Sequence, residues 1–188
     1  MITTGNTSEG GDVFVTLPPD STMVALYLVP EDTDALRVLD PSDPALVEDG
    51  VLVAPIPRVE VAVFGVAEDF NREALDSLSE MLQGFQGVGR PLVGTVHGVV
   101  VRDGGALQAL GVDVGGDEVP AFLSRTRDYL RALGLRFLDS GTVLPLAYRH
   151  PLLALGGFPS IQVSALPRFV VFDRLVFQAG PKVRAWKL

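Results

Sequence analysis

The chain has 188 residues, 47% of them apolar and 20% charged, with a net charge of −8 and no cysteine. That length buries one sizeable core or two small lobes sharing a core. The missing thiols exclude disulfides and thiolate metal sites, and the acidic balance disfavours a nucleic-acid backbone as partner unless the charges are segregated.

Residues Met1 to Asp12 (MITTGNTSEGGD) are small, polar and rich in glycine. They cannot bury enough apolar surface to order themselves. A flexible arm is therefore expected over residues 1–21, with Val13 to Val15 as a short docking element, and a folded domain over 22–188. The opening residues lack the basic-then-apolar pattern of a secretion signal. No apolar run approaches the roughly 18 to 20 residues that cross a bilayer. The expectation is a soluble protein of a cytoplasm, or of an assembly built there, with no membrane partner.

Met23 to Leu28 is an apolar run of strand length, ended by Pro30. Asp32 is placed to cap a short helix through Leu39. Asp40 to Gly50 carries two prolines and four acids and reads as a loop. Val59 to Gly65 is β-branched and apolar, a buried strand. Asn71 is an N-cap for a helix over Arg72 to Gln83, with Leu75, Leu78 and Leu82 on one face and Gly84 closing it. Leu92 to Arg102 and Leu107 to Val114 alternate about Asp103, Gly104 and Gly105, a hairpin signal. Asp117 caps a third helix, with Phe122, Leu123, Tyr129, Leu130 and Leu133 as its apolar face and Gly134 as its stop. Arg125, Arg127 and Arg131 fall on its other faces and read as solvated. Leu152 to Leu155 reads as a short strand. Phe169 to Phe177 is the strongest strand, with Val183 to Lys187 as its hairpin partner across Gly180 and Pro181. The stretches Val143 to Leu146 and Phe158 to Pro159 read as exposed apolar contacts.

Strand, helix, strand, helix, hairpin, helix and three strands make an α+β chain, compatible with two similar lobes, each an antiparallel sheet with helices on one side. Two segments stand out within it. Pro57 to Gly65 (PRVEVAVFG) and His150 to Gly156 (HPLLALG) lie about 90 positions apart, with a helix, a hairpin and a helix between them. On these segments, and on the opening and closing strands, the chain over residues 22–188 resembles the 2H phosphoesterase superfamily of 2′-5′ RNA ligase-like proteins and cyclic phosphodiesterases. The resemblance implies a bilobal, pseudo-twofold fold of two antiparallel sheets with outer helices. It also implies a central cleft into which each lobe sends one His-x-Ser/Thr strand.

In such a family one imidazole serves as general base and the other as general acid, because its pKa lies near neutrality. The hydroxyl two residues on shares the strand face and holds a phosphate oxygen. By the resemblance, Arg58 stands at the first histidine position and Glu60 at the first hydroxyl, while His150 keeps the second histidine and Leu152 replaces the second hydroxyl. A guanidinium is always charged and cannot act as a base. A carboxylate repels phosphate, and a leucine donates nothing. Arg58 and Glu60 read as a mutual ion pair or as a binding element for a partner, and His150 as a structural side chain or a retained cleft residue. His97 lies outside both segments and reads as structural. With two histidines far apart and no cysteine, neither a metal nor a cofactor is expected. The glycine pairs match no phosphate-binding loop.

Two functions follow as expectations. The first is a non-catalytic structural or interaction protein on a degenerate scaffold. Likeness to bacteriophage-type 2H domains with the same Met23 to Leu26 opening implies a virion component of capsid or tail, with other virion proteins or further copies of itself as partners. The alternative is a residual 2′,3′-cyclic phosphodiesterase or RNA-end-binding protein using His150 and Arg58. An unrelated α+β domain with the same strand pattern is the remaining reading.

Overall fold

A computed structural model describes residues 23–82, 89–103, 108–150 and 157–188. The expected arm, the hairpin turn at Gly104 and Gly105, the strand over Leu152 to Leu155, and the helix-closing Gly84 lie outside these residues. The strands are β1 (Met23–Pro30), β2 (Val51–Val53), β3 (Val59–Val66), β4 (Leu92–Asp103), β5 (Gln108–Gly115), β6 (Val143–Arg149), β7 (Phe169–Ala179) and β8 (Lys182–Lys187). The helices are α1 (Pro44–Glu48), α2 (Arg72–Leu82) and α3 (Glu118–Ala132).

All strand pairings are antiparallel, in the order β2-β6-β5-β4-β7-β1-β3, with β8 also on β7. The path forks at β7. Phe169 to Phe172 pair with β4, and Arg174 to Ala179 pair with β8 on the same side. One half is therefore β3-β1-β7-β8 and the other is β2-β6-β5-β4. The two expected sheets are joined into one hydrogen-bonded path through the four residue pairs of β4 and β7. The fold class is α+β, as the order of elements predicts.

Alternation decides which face is covered. Val24, Leu26 and Leu28 of β1, Val112 and Val114 of β5, and Phe172, Leu175 and Phe177 of β7 join Leu78 and Leu82 of α2 and Phe122, Leu123 and Leu130 of α3 in one core. Successive strand residues point to opposite faces, so Ala25, Tyr27 and Val29 are turned to the helix-free face. There Met23, Ala25, Tyr27, Val29 and Val63 form a second buried cluster.

Several expectations are corrected. The loop over Asp40 to Gly50 contains α1. Asp43 Oδ1 accepts from Ala45 N at 2.9 Å, and Pro44, which needs no donor there, opens the first turn. Asp32 does accept from Asp34 and Ala35 amides, yet only a 3-10 turn over Asp34–Leu36 follows, because Arg37 leaves helical geometry with ψ 66. Asn71 caps α2 as predicted, its Oδ1 accepting from Ala74 N at 2.8 Å. Asp117 stands at the start of α3 but its carboxylate makes no cap bond. Tyr129 and Leu133, placed on the apolar face of that helix, are exposed. The stretch Val143 to Leu146 is not a surface contact. It is the first half of β6, with Val143, Leu144 and Leu146 buried between β5 and β2. Its proline coincides with a register shift opposite Leu110 and Gly111, the kind of irregularity at which a strand tolerates one. Phe158 is only partly exposed, packed on the Leu46 and Leu110 cluster under the Arg149 guanidinium.

Candidate anion-binding groove

The helix-free face is closed on one side by β3. Its outer edge is not left as a row of open backbone groups. Val63 exchanges both backbone hydrogen bonds with Leu138, at 2.7 and 2.9 Å. Glu60 N donates to Ser140 Oγ at 3.2 Å. Arg127 of α3 reaches across to donate from Nε to Val61 O at 3.0 Å, and from Nη2 to Glu60 O at 3.0 Å and Gly141 O at 2.8 Å. The same guanidinium stands 3.4 Å from the Asp139 carboxylate. This overturns the solvated reading of Arg127, which is buried. A guanidinium with this many acceptors satisfies carbonyls that would otherwise be desolvated without partners.

On the helix-free face, over Val29 and Val176, lies a groove of about 470 Å³. Val176 and Gln178 of β7 and Val183 and Ala185 of β8 line it together with Ala54, Pro55 and Ile56 after β2 and Pro145 and Tyr148 of the adjacent β6. Among the described residues its charged lining is Arg37, Arg58 and Arg174, with no carboxylate. An acidic protein thus gathers positive charge in one concavity, the segregation that composition alone could not reveal. Two of the three arginines are partly committed. Arg37 pairs with Asp34 at 3.0 Å. Arg174 pairs with Asp173 at 2.9 Å and donates to Pro30 O at 3.1 Å.

Arg58 is different. Among the described residues it forms no ion pair, so the expected direct Arg58–Glu60 bridge is replaced by other contacts. Its guanidinium carbon lies 3.6 Å from the centroid of the Tyr27 ring, and Nη1 donates to Gln178 Oε1 at 3.3 Å. The ring face attracts the cation and fixes its plane, which leaves the remaining donors of the fork for a ligand. Glu60 pairs directly across from Tyr27 in the β1–β3 register, on the same face. Its side chain is fully buried and does not line the groove. Burial pushes the Glu60 carboxyl up to about 7; Asp139 adds to the rise, while Arg58 and Arg127 oppose it. Burial also raises the Tyr27 and Tyr148 phenols far above their usual range. The Tyr27 hydroxyl has no hydrogen-bond partner among the described residues.

Of the four positions expected at the cleft, the structure brings Arg58 and Glu60 together. His150 follows the last residue of β6 and does not line the groove; Leu152 lies outside the described residues. From the second half it is Pro145 and Tyr148 that share the groove lining with Arg58. His97 sits on β4 over Gly115, where a Cβ would lie 2.0 Å from its ring, and is 3.8 Å from Asp113. No cluster of His, Asp or Glu among the described residues is arranged to hold a metal. No described helix is long and apolar enough to span a membrane.

No family model matches the chain, and no curated protein matches it. Several solved structures are similar, among them two of one protein. Usb1 from Kluyveromyces marxianus aligns over 91% of this chain and 100% of its own, with a TM-score of 0.52 and 11% identity. The same protein with uridine monophosphate gives a TM-score of 0.53 and 12% identity over the same coverage. These likenesses show the fold, which is α+β and 2H phosphoesterase-like.

Proposed function

We propose that this protein is a non-catalytic binding module on a 2H phosphoesterase-like scaffold, whose groove holds an anionic, phosphate-bearing ligand through Arg58. The observation that carries the reading is the lining among the described residues: three arginines, no carboxylate, and no imidazole. Proton shuttling at neutral pH needs groups that exchange protons there, within hydrogen-bond reach of the substrate. Arginine does not exchange them, and Tyr148 is pushed the wrong way by burial. The sequence has two histidines, and neither His97 nor His150 lines the groove. The uridine monophosphate in the Usb1 structure makes a nucleoside monophosphate the natural first probe. The test is calorimetric titration of the full chain with uridine monophosphate. Saturable binding weakened at least about tenfold in Arg58→Ala supports the reading, as expected for loss of a charge-assisted hydrogen bond. Equal binding by both proteins, or none by either, overturns it.

A role inside an assembly, including the virion placement implied by the resemblance, is a second proposal and draws on a different surface. Val47 and Leu52 are exposed at and before β2, the terminal strand of the sheet path. An open edge flanked by apolar side chains favours strand-to-strand partners. Co-purification with a shell or tail supports that role; recovery as a free monomer alone counts against it.

A further inference from the structure

We propose that Glu60 is a proton-coupled control on the groove: an anion binding at Arg58 is accompanied by proton uptake at the Glu60 carboxylate, so the groove holds anions more tightly in mildly acidic than in mildly alkaline solution. The proposal rests on the anion-binding reading above and adds the regulation of that site.

Glu60 lies two residues beyond Arg58 on the same face of the chain and directly opposite Tyr27, whose ring carries the Arg58 guanidinium. The carboxyl is buried and does not line the groove, so it acts on a ligand through Arg58. The groups that face it are Tyr27 from β1, Tyr148 from β6, Arg58 before β3, Arg127 from α3 and Asp139 from the turn before β6. Both phenols stay neutral. Arg127 and Asp139 are paired with each other. The balance therefore falls to Arg58 and Glu60. With Glu60 ionised, Arg58 already answers to a negative charge behind it. With Glu60 protonated, that field is turned to the groove.

An incoming anion and the Glu60 charge thus compete for one guanidinium, and each disfavours the other. The reaction balances as protein with ionised Glu60, plus anion, plus proton, giving the complex with neutral Glu60. Binding and protonation are reciprocal by linkage. Burial already places the free protein's Glu60 near neutrality, so the exchange falls in an accessible range. Glu60 is a positioning residue in this account, acting on the ligand through Arg58.

The experiment is calorimetric titration of the full chain with a uridine cyclic monophosphate, a diester whose single charge does not change over the range studied. Between about pH 5.5 and about pH 8 the dissociation constant should rise roughly fivefold to tenfold, the span allowed when the anion shifts one carboxyl by about one unit. Two buffers of different ionisation heat should report proton uptake on binding. In Glu60→Gln, affinity should stay at the acid-side value and proton uptake should vanish. Affinity in the unaltered protein that does not vary with pH, or pH dependence that survives Glu60→Gln, overturns the proposal while leaving the anion-binding reading intact. Carboxyl carbon NMR of the unaltered chain gives an independent check: a Glu60 midpoint below about 5 also overturns the proposal. Absence of binding by either protein at any pH overturns the anion-binding reading, and this proposal with it.

Discussion

Glu60 is the residue whose energetics are most sharply set by the fold. Its carboxyl ionises near 4.5 in an unfolded chain and is pushed up to about 7 in the folded one. Between those values the folded protein holds a proton that the unfolded chain has released. Stability from this group is therefore full below about 4.5 and is lost as pH rises through about 7, by an amount of about 3 kcal/mol at most. Glu60→Gln should match the parent in urea unfolding at about pH 4.5 and exceed it by roughly 2 kcal/mol at about pH 8, since the amide never pays the charge-burial cost. Equal stability at both pH values would contradict the buried placement. Arg58 and Glu60 were both marked out in the sequence by the resemblance, at the first histidine and first hydroxyl positions. What the sequence could not show is that they avoid direct pairing and are separated in role by the Tyr27 ring.

At the scale of elements, two contacts fix how the strands meet. Arg127 joins α3 to β3 and to the 139–141 turn through three carbonyls and one carboxylate. Arg127→Met should cost roughly 3–5 kcal/mol, because the buried acceptors and Asp139 lose their partner together. Chemical denaturation measures this, and a loss below about 1 kcal/mol would contradict the clamp. Gly111 sets the approach of β5 to β6: a Cβ there would lie 2.5 Å from Val143 Cγ1 and 2.8 Å from the Leu144 carbonyl oxygen. Backbone cannot yield as a side chain can, so Gly111→Ala should destabilise by roughly 1–3 kcal/mol. Gly98→Ala on the neighbouring strand meets nothing within 4 Å and should stay within about 0.5 kcal/mol of the parent. Similar unfolding midpoints for the two variants would refute the packing described at Gly111. Arg127 was misread from sequence for a physical reason. A charged side chain at helical spacing counts as surface unless its partners are known, and those partners are backbone carbonyls that carry no signature in the sequence.

For the molecule as a whole, β1, β3, the β4–β5 hairpin and the β7–β8 hairpin were legible from alternation and turn residues, and they carry the α+β class. β6 was not. Val143 to Arg149 is apolar on both faces and interrupted by Pro145, so it lacks the period that marks a half-buried strand. The resemblance over residues 150–156 pointed to His150, while the strand that reaches the groove presents Pro145 and Tyr148. The segregation of charge was likewise hidden: Arg37, Arg58 and Arg174 are far apart in sequence and converge only through the β1, β3 and β7 pairings. The proposed function is that this groove binds a phosphate ester and leaves it unchanged. Its most direct test is to incubate the full chain with uridine 2′,3′-cyclic monophosphate, measuring binding by calorimetry and the fate of the ester by phosphorus NMR, with Arg58→Ala in parallel. The account predicts saturable binding that Arg58→Ala weakens, with the cyclic ester intact in both samples. Ring opening by the unaltered protein, or binding indifferent to Arg58, would contradict it.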